Sequence, residues 1–199
     1  MLADRALFRG TLRGRERGVT MLEVLVAILV LTFGLLGLAG LQGRAQLADT
    51  EAYSRAQAIV LLQDMVDRIN ANRKNSMSYV TAAPLGTGNP VQNCAGMTGA
   101  ALDTCEWNNA LLGASETLGG QTVGAMVGAR GCVVNTIAAM PREFLVAVAW
   151  QGMNATVAPA ATTCGQGSYG DEKTRRAMVA RVIIGCLQND PATGLCVTP

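Results

Sequence analysis

The clearest pattern in the chain is an uninterrupted apolar run near its N-terminus. Val24 to Gly43 is a stretch of 20 residues without a charge. As a helix it is about 30 Å long, which matches the hydrocarbon thickness of a bilayer. A buried core helix is the less favoured alternative, because core helices keep a polar face. A cleaved secretory signal would have a shorter apolar region that ends in a cleavage site made of small residues. The pattern therefore predicts a transmembrane segment over residues 24–43.

A second helical pattern follows directly and extends to residue 72. Residues 44–72 contain no Gly or Pro, and their apolar residues recur at steps of three and four, which indicates one apolar helix face. The members of this face are Ala52, Ala56, Ile59, Leu62, Val66 and Ile69. We expect one long helix over residues 19–72, whose outer half is amphipathic and packs on a globular domain formed by residues 73–199.

Three stretches with alternating or β-branched residues predict strands in the globular part. They cover residues 131–137, 143–150 and 176–186. The second stretch alternates one set of larger apolar residues with smaller ones, and the larger set is Phe144, Val146, Val148 and Trp150. The economical arrangement is a small antiparallel meander of three or four strands lying on the outer half of the helix. The predicted fold class is therefore α+β.

The segment between the long helix and the strands is less regular. Residues 79–131 form a glycine-rich connection with little periodicity. Within it, residues 103–112 are compatible with a short helix, for which Asp103 is the predicted N-cap and Glu106 follows three residues later.

The charge of the chain is concentrated at the N-terminus. The chain has 16 basic and 14 acidic residues, a formal net charge of +2. Residues 1–18 contain five arginines and two acids and so carry +3, whereas the remaining 181 residues carry −1. By the positive-inside rule, the N-terminus is cytoplasmic and the globular domain lies across the membrane, in the periplasm. Because the main body of the chain is nearly neutral and poor in aromatic residues, no nucleic-acid partner is expected.

The chain contains no histidine, which excludes Ser-His-Asp and Cys-His catalysis and histidine-ligated metal sites. Acidic pairs such as Asp64 and Asp67 have helical spacing and are most simply a solvated helix face. The sequence therefore argues against an enzyme, and we expect no catalytic residue, no metal site and no cofactor.

Six cysteines follow the apolar run: Cys94, Cys105, Cys132, Cys164, Cys186 and Cys196. None forms a Cys-x-x-Cys pair, which disfavours zinc ribbons and thioredoxin-like redox motifs. An even number on the outer side of a membrane indicates disulfide bonds in an oxidising compartment. Six cysteines allow 15 connectivities, which the sequence leaves open. Local pairing along the expected meander favours Cys94–Cys105, Cys132–Cys164 and Cys186–Cys196.

The residues around the start of the apolar run form a distinctive motif. The stretch RGVTMLEV, from Arg17 to Val24, resembles the processing site of type IV prepilins, and the run from Glu23 to Gln42 is similar to minor pilins of the PilV type. In that family a membrane prepilin peptidase cuts after a glycine, the new N-terminus is methylated, and the fifth mature residue is a glutamate.

The resemblance implies a role for each residue of the motif. Residues 1–18 would be a cytoplasmic leader that ends at Gly18. Val19 would be the methylated N-terminus, where the family usually has Phe or Met. Glu23 would pair with the N-terminal amine of a neighbouring subunit. Taken without its neighbours, Glu23 has a second explanation: an acid in the first turn of a helix is favoured by the helix dipole and would lie at the level of the lipid headgroups.

Four glycines recur every third residue in the second half of the apolar run: Gly34, Gly37, Gly40 and Gly43. Each costs about 1 kcal/mol of helix stability relative to Ala. Small residues also allow close helix–helix approach in a bilayer. Many pilins have a proline near Gly40, so the resemblance favours a helix-weakening role.

The function that the resemblance implies is that of a minor type IV pilus subunit with a pilin-like fold. Its expected partners are prepilin peptidase, other minor pilins, the major pilin, the inner-membrane assembly platform and, before assembly, the lipid bilayer. It would reside in the inner membrane with a single pass and then in the extracellular pilus, supporting twitching motility. The alternatives are a minor pseudopilin of a type II secretion system, a signal-anchored periplasmic binding or enzymatic domain, and a tip adhesin.

Overall fold

The fold is known from a computed structural model of the chain. The structure describes residues 18–114, 117–118, 121–122, 126–193 and 196–198. The chain divides into two compact units, Met1–Gln46 and Leu47–Pro199. Residues 1–17, which are all of the predicted leader except Gly18, lie outside the described residues.

The first helix, α1, runs from Met21 to Ala71. The predicted long N-terminal helix is thereby confirmed. Within the first unit its side chains are exposed as far as Gln46. Within the second unit it supplies four buried residues: Ala58, Leu62, Met65 and Ile69. The good helix formers Ala, Leu, Gln and Arg are frequent in its second half, and Arg68 in its last turn carries the charge that favours a helix C-terminus.

The rest of the second unit consists of short helices and strands. A 3-10 helix, Arg73–Tyr79, follows α1, and a second α-helix, α2, spans Gly99–Leu111. Another 3-10 helix, Glu172–Thr174, precedes the last long strand. The strands are β1 (Leu85–Gly86), β2 (Thr117–Leu118), β3 (Gln121–Thr122), β4 (Arg130–Ile137), β5 (Arg142–Gln151), β6 (Arg175–Ile184), β7 (Gln188–Asn189) and β8 (Cys196–Thr198).

The main sheet has four antiparallel strands in the order β1-β4-β5-β6. The predicted antiparallel sheet is confirmed, and its three long strands lie where the sequence placed them. The first begins one residue earlier than expected, and the second is longer by one residue at each end. The third ends at Ile184 rather than at Cys186. Two further pairs of strands, β2-β3 and β7-β8, are separate hairpins.

The core lies between one face of the sheet and the two α-helices. The four residues predicted for the buried face of β5 are all in it: Phe144, Val146, Val148 and Trp150. Trp107 of α2 is fully buried, and its indole N–H donates to the backbone oxygen of Leu61 in α1 at 2.9 Å. On its other side, Trp107 lies so close to β4 that a Cβ at Gly131 would collide with the ring. One tryptophan thus connects both helices with the sheet.

The apolar face predicted for the outer half of α1 is partly wrong. Leu62 and Ile69 are buried as expected, and Val66 is half-buried against the core. Ala52, Ala56 and Ile59, by contrast, are exposed. Their places in the core are taken by Ala58 and Met65, which are fully buried. Apolar residues occur all round this part of the helix, so the shape of Trp107 and the sheet decides which of them are covered.

The start of α2 also differs from the prediction. The helix begins one turn earlier, with Thr98 as N-cap, and Asp103 lies within it. The carboxylate of Asp103 does not cap the backbone, because it accepts hydrogen bonds from Arg68 and from the hydroxyl of Tyr79. Tertiary contacts have therefore replaced the local cap that the spacing suggested.

Arg68 is the centre of a charged network between α1 and α2. Its guanidinium contacts Asp64 at 3.0 Å, Asp103 at 3.0 Å and Glu106 at 2.7 Å. Burial alone lowers the pKa of Arg68, but the hydrogen bonds to Glu106, Asp64 and Asp103 outweigh this effect and raise the pKa above its ordinary value. The ring of acids thus keeps the guanidinium charged and fixes α2 against the end of α1.

The opposite face of the sheet is covered over part of its length by the loop between β5 and β6. Cys164 and Tyr169 of this loop pack on Cys132, Ala147 and Ala149 of the strands. The hydroxyl of Tyr169 donates to the backbone oxygen of Gly128 at 2.9 Å, and the guanidinium of Arg130 lies 5.0 Å from the centre of its ring. The loop therefore forms a second, smaller core.

The network around Arg68 predicts a loss of stability at high pH. Tyr79 is fully buried, and burial, followed by the hydrogen bond to Asp103, raises its pKa to about 12. A tyrosine whose folded pKa lies above its unfolded value near 10 stabilises the fold below pH 10. This contribution is lost as the pH rises from 10 towards 12.

We expect the free energy of unfolding to fall by up to about 2–3 kcal/mol more in the wild type than in Tyr79→Phe over this pH range. Urea titrations of the full chain in detergent, followed by tryptophan fluorescence, measure the difference. Tyr53→Phe is the matched control, because Tyr53 is exposed, and it should follow the wild type. Parallel pH profiles for the wild type and Tyr79→Phe would show that this phenol does not contribute.

Candidate functional site

The bond predicted to be cleaved lies just before α1. Gly18, Val19 and Thr20 have no helical or strand structure, and all three are exposed. Val19 keeps 68% of its surface. Exposed irregular backbone is the kind of segment that proteases reach. The Gly18–Val19 bond is therefore accessible, and helical structure begins only two residues beyond it.

Thr20 caps the helix and positions Glu23. The backbone N–H of Glu23 donates to the hydroxyl of Thr20 at 3.3 Å and to its carbonyl oxygen at 3.0 Å. The spacing Thr-x-x-Glu is that of a capping box, and this signal in the sequence was missed. The cap fixes Glu23 in the first turn of α1, where the helix dipole favours a negative charge.

The carboxylate of Glu23 has no ion-pair or hydrogen-bond partner within the part of the chain that the structure describes, and the residue is exposed. It stands at the head of an apolar surface. A carboxylate in such a place is costly without a counter-charge, at about 2.5–3.5 kcal/mol in the centre of a membrane. The carboxylate of Glu23 is therefore not used by any group among the described residues.

The apolar run that follows is uncovered. Met21–Ala71 is long and apolar enough to cross a membrane by length and composition, and its most apolar window has no buried share. The exposed fraction of the large side chains from Met21 to Leu41 ranges from 47% at Val24 and Leu29 to 94% at Met21. This surface needs either lipid or the helices of other subunits to remove it from water.

The four glycines of the run lie inside the continuous helix. A Cβ placed at Gly34, Gly37, Gly40 or Gly43 would meet nothing within 4 Å. No contact inside the described chain therefore requires a glycine at these positions. Their effect on the isolated helix is to lower its stability.

The second unit attaches its sheet to α1 through Glu51. One carboxylate oxygen of Glu51 accepts from the backbone N–H of Met153 at 3.1 Å and from the guanidinium of Arg176 at 3.2 Å. Arg176 also donates to the backbone oxygens of Asn154 and Lys173. A Cβ at Gly152 would lie 2.8 Å from that guanidinium, so the glycine makes room for it. These contacts hold the end of β5 and the start of β6 on the helix.

The six cysteines are joined in three disulfides: Cys94–Cys105, Cys132–Cys164 and Cys186–Cys196, with Cα–Cα distances of 5.8, 5.8 and 5.6 Å. These are the pairs that local pairing favours in the sequence. The first ties the irregular segment before α2 to that helix. The second holds the β5–β6 loop on β4, and the third closes the chain around β7 and β8. Each bond limits the freedom of a loop and so stabilises it.

Arg175 was not recognised from the sequence as a structural residue. It retains only 3% exposure, pairs with Glu172 at 2.6 Å and donates to the backbone oxygens of Pro159, Thr162 and Cys164. These contacts fix three points of the β5–β6 loop to one buried guanidinium group. The sequence shows two adjacent arginines after a polar turn, and nothing in it distinguishes the buried one from Arg176.

The second unit also contains a largely apolar cavity of about 410 Å³. Its lining includes Asp49, Tyr53, Met126, Trp150 and Met153. Among the described residues, no group of three or more His, Cys, Asp or Glu could hold a metal ion.

Comparison with known families gives two adjacent matches. The model of the prokaryotic N-terminal methylation motif matches residues 13–39, and the model described as type IV pilin Tt1218 matches residues 40–106. No curated protein and no solved structure matched. The first match includes Gly18, Val19, Glu23 and most of the apolar run, and the second includes the rest of α1 and extends into α2. These two matches, which together cover residues 13–106, support a type IV pilin family for this chain.

Proposed function

We propose that this chain is a minor subunit of a type IV pilus, cut by prepilin peptidase between Gly18 and Val19 and supporting pilus assembly. The observation that carries the proposal is the unpartnered carboxylate of Glu23 in the first turn of an exposed apolar helix. A methylation motif implies processing by prepilin peptidase and assembly with other pilins. The minor role rests on the resemblance of the apolar run to minor pilins.

The physical argument for assembly starts from the apolar surface. Before assembly, lipid covers residues 24–43, with the arginines of residues 1–18 in the cytoplasm and the globular unit in the periplasm. After cleavage, the new amine at Val19 carries a positive charge. In a fibre whose core is made of such helices, Glu23 of one subunit and the amine of a neighbour neutralise each other where water is scarce. Either charge alone would make it unfavourable to bury the start of the helix in the fibre, whereas the ion pair can be buried there.

The globular unit fits the same proposal. Three disulfides suit an oxidising compartment, such as the periplasm or the outside of the cell. The network around Arg68 and the contacts of Glu51 fasten the sheet to the helix that would enter the fibre. A subunit that is extracted from the membrane by its helix needs such an attachment. Members of the pilin family are generally structural subunits rather than enzymes, which supports a structural role for this chain.

Gly18 is the first test of the proposal. Replacing Gly18 by Val places a branched side chain at the cleavage site, and we expect the full-length chain to accumulate in the membrane. Intact-mass measurement of the membrane-extracted protein distinguishes it from a chain that begins at Val19. Gly14→Val is the matched control and should be processed normally. A mature-sized product from Gly18→Val would refute the assigned bond.

Glu23 is the second test. We expect Glu23→Ala to be inserted and cleaved normally but to fall at least about tenfold in sheared pili, because a loss of about 1.4 kcal/mol per contact already has that effect. Glu23→Asp should retain part of the incorporation. Asp49→Ala removes an exposed acid of the same helix and should behave like the wild type. Normal amounts of Glu23→Ala in pili would contradict the pairing.

The glycines give a third test. We propose that they let the helix lose regular structure when the subunit moves from lipid into the fibre. Replacing Gly37 and Gly40 by Ala adds about 2 kcal/mol of helix stability without a clash. We expect slower amide hydrogen loss from residues 34–43 in detergent and less of the subunit in pili. Faster exchange, or unchanged exchange together with normal incorporation, would argue against this role.

A minor pseudopilin of a type II secretion system would share all of these N-terminal features. Deletion of the chain in its host separates the two assignments. Loss of twitching motility with intact secretion supports the pilus, whereas loss of secretion with intact twitching supports the pseudopilus.

A further inference from the structure

The two edges of the main sheet are protected to different degrees. On one side, β1 and Thr81 occupy the edge of β4. The N–H of Thr81 donates to the oxygen of Val133 at 2.9 Å, and the N–H of Val133 donates to the hydroxyl of Thr81 at 3.1 Å. On the other side β6 ends the sheet. Among the described residues, the backbone of residues 177–184 hydrogen-bonds only within its pairing with β5.

The features that usually protect an edge strand are few on β6. The strand is ten residues long, pairs with β5 in one continuous register and contains no proline or lysine. In an antiparallel pair, every second residue of an edge strand directs its N–H and C=O away from the sheet. A long edge of this kind readily accepts a further strand.

The side chains beside this edge are apolar and partly uncovered. The β5–β6 loop covers the sheet face only around Cys132, Ala147 and Ala149. Farther along the same face of β6, Ile183 is exposed by 57%. A strand added next to β6 would place one row of its side chains beside Val179, Arg181 and Ile183, and would cover part of Ile183.

The charge of β6 indicates what kind of segment would bind at its edge. The strand carries three arginines and no acid. Arg175 and Arg176 are bound within their own chain, as described above, whereas the side chain of Arg181 is 65% exposed. Its ion-pair partner, Glu143 at 3.3 Å, also accepts from Thr136. Two copies pairing through β6 would bring two exposed arginines, Arg181 of each copy, into one sheet with no acid on either strand, which is unfavourable.

We propose that the β6 edge docks an extended segment of a partner protein, in which apolar residues alternate and an Asp or Glu lies opposite Arg181. Backbone hydrogen bonds would provide the affinity, and Arg181 would select the acidic segment. The proposal goes beyond the pilus role and does not depend on cleavage at Gly18 or on Glu23.

The test uses the full chain in detergent micelles and two labelled peptides, VTVTETVTV and VTVTKTVTV. Both alternate valine and threonine, and they differ only in the charge of the central residue. Fluorescence polarisation measures binding, and hydrogen exchange locates the protected amides. We expect the wild type to bind the glutamate peptide at least about fivefold more tightly than the lysine peptide, with protection confined to alternate amides of residues 177–184.

Arg181→Glu should reverse the preference between the two peptides. Arg55→Glu, the same charge reversal at an exposed position of α1, should leave the preference unchanged. Equal binding of both peptides by the wild type would overturn the proposal, as would protection outside β6. Protection of residues 177–184 by dimerisation without any peptide would also contradict it, because a second copy would then be the occupant.

Discussion

The molecule is governed by one constraint, the apolar surface of residues 24–43 that the described chain leaves uncovered. Full burial of an aliphatic side chain is worth about 1.5–3 kcal/mol, and this helix presents such side chains on all sides. The segment therefore requires a non-aqueous surrounding, which the proposed function supplies first with lipid and then with the helices of other subunits. The features before it follow from that need. Thr20 caps the start of the helix, and Glu23 adds a charge that has no partner among the described residues.

The second unit is built around the continuation of the same helix. Trp107 reaches α1 with its indole N–H and fills the space beneath Gly131, so that two helices and the sheet share one core. Arg68 and Glu51 add charged contacts towards α2 and β6. The disulfides act on the loops rather than on this core. The helix is thus held by apolar packing and by ion pairs from two different elements.

Much of the fold could be predicted from periodicity alone. The long helix and three strands have strong patterns, and the buried face of β5 follows from its alternation of large and small residues. The face of α1 could not be derived in the same way. Apolar residues surround its outer half, and the choice of Met65 over Ile59 depends on the shape of elements far along the chain. Asp103 shows the same limit, because its partners Arg68 and Tyr79 are distant in sequence.

The motif at the start of α1 could be recognised from the sequence more directly than the globular unit, because its residues are neighbours in the chain. Gly18, Val19 and Glu23 lie within six residues, and the charge-free run follows at once. The role of Arg175 could not be predicted in this way, because its partners Pro159 and Thr162 are distant in sequence and nothing local distinguishes it from Arg176.

The most direct measurement is intact-mass analysis of this subunit in pili sheared from cells, with and without prepilin peptidase. The account predicts a chain that begins at Val19, carries a methyl group on its amine and has its six cysteines oxidised, and that is missing from pili without the peptidase. A full-length chain in sheared pili, or a mature N-terminus at any residue other than Val19, would contradict it.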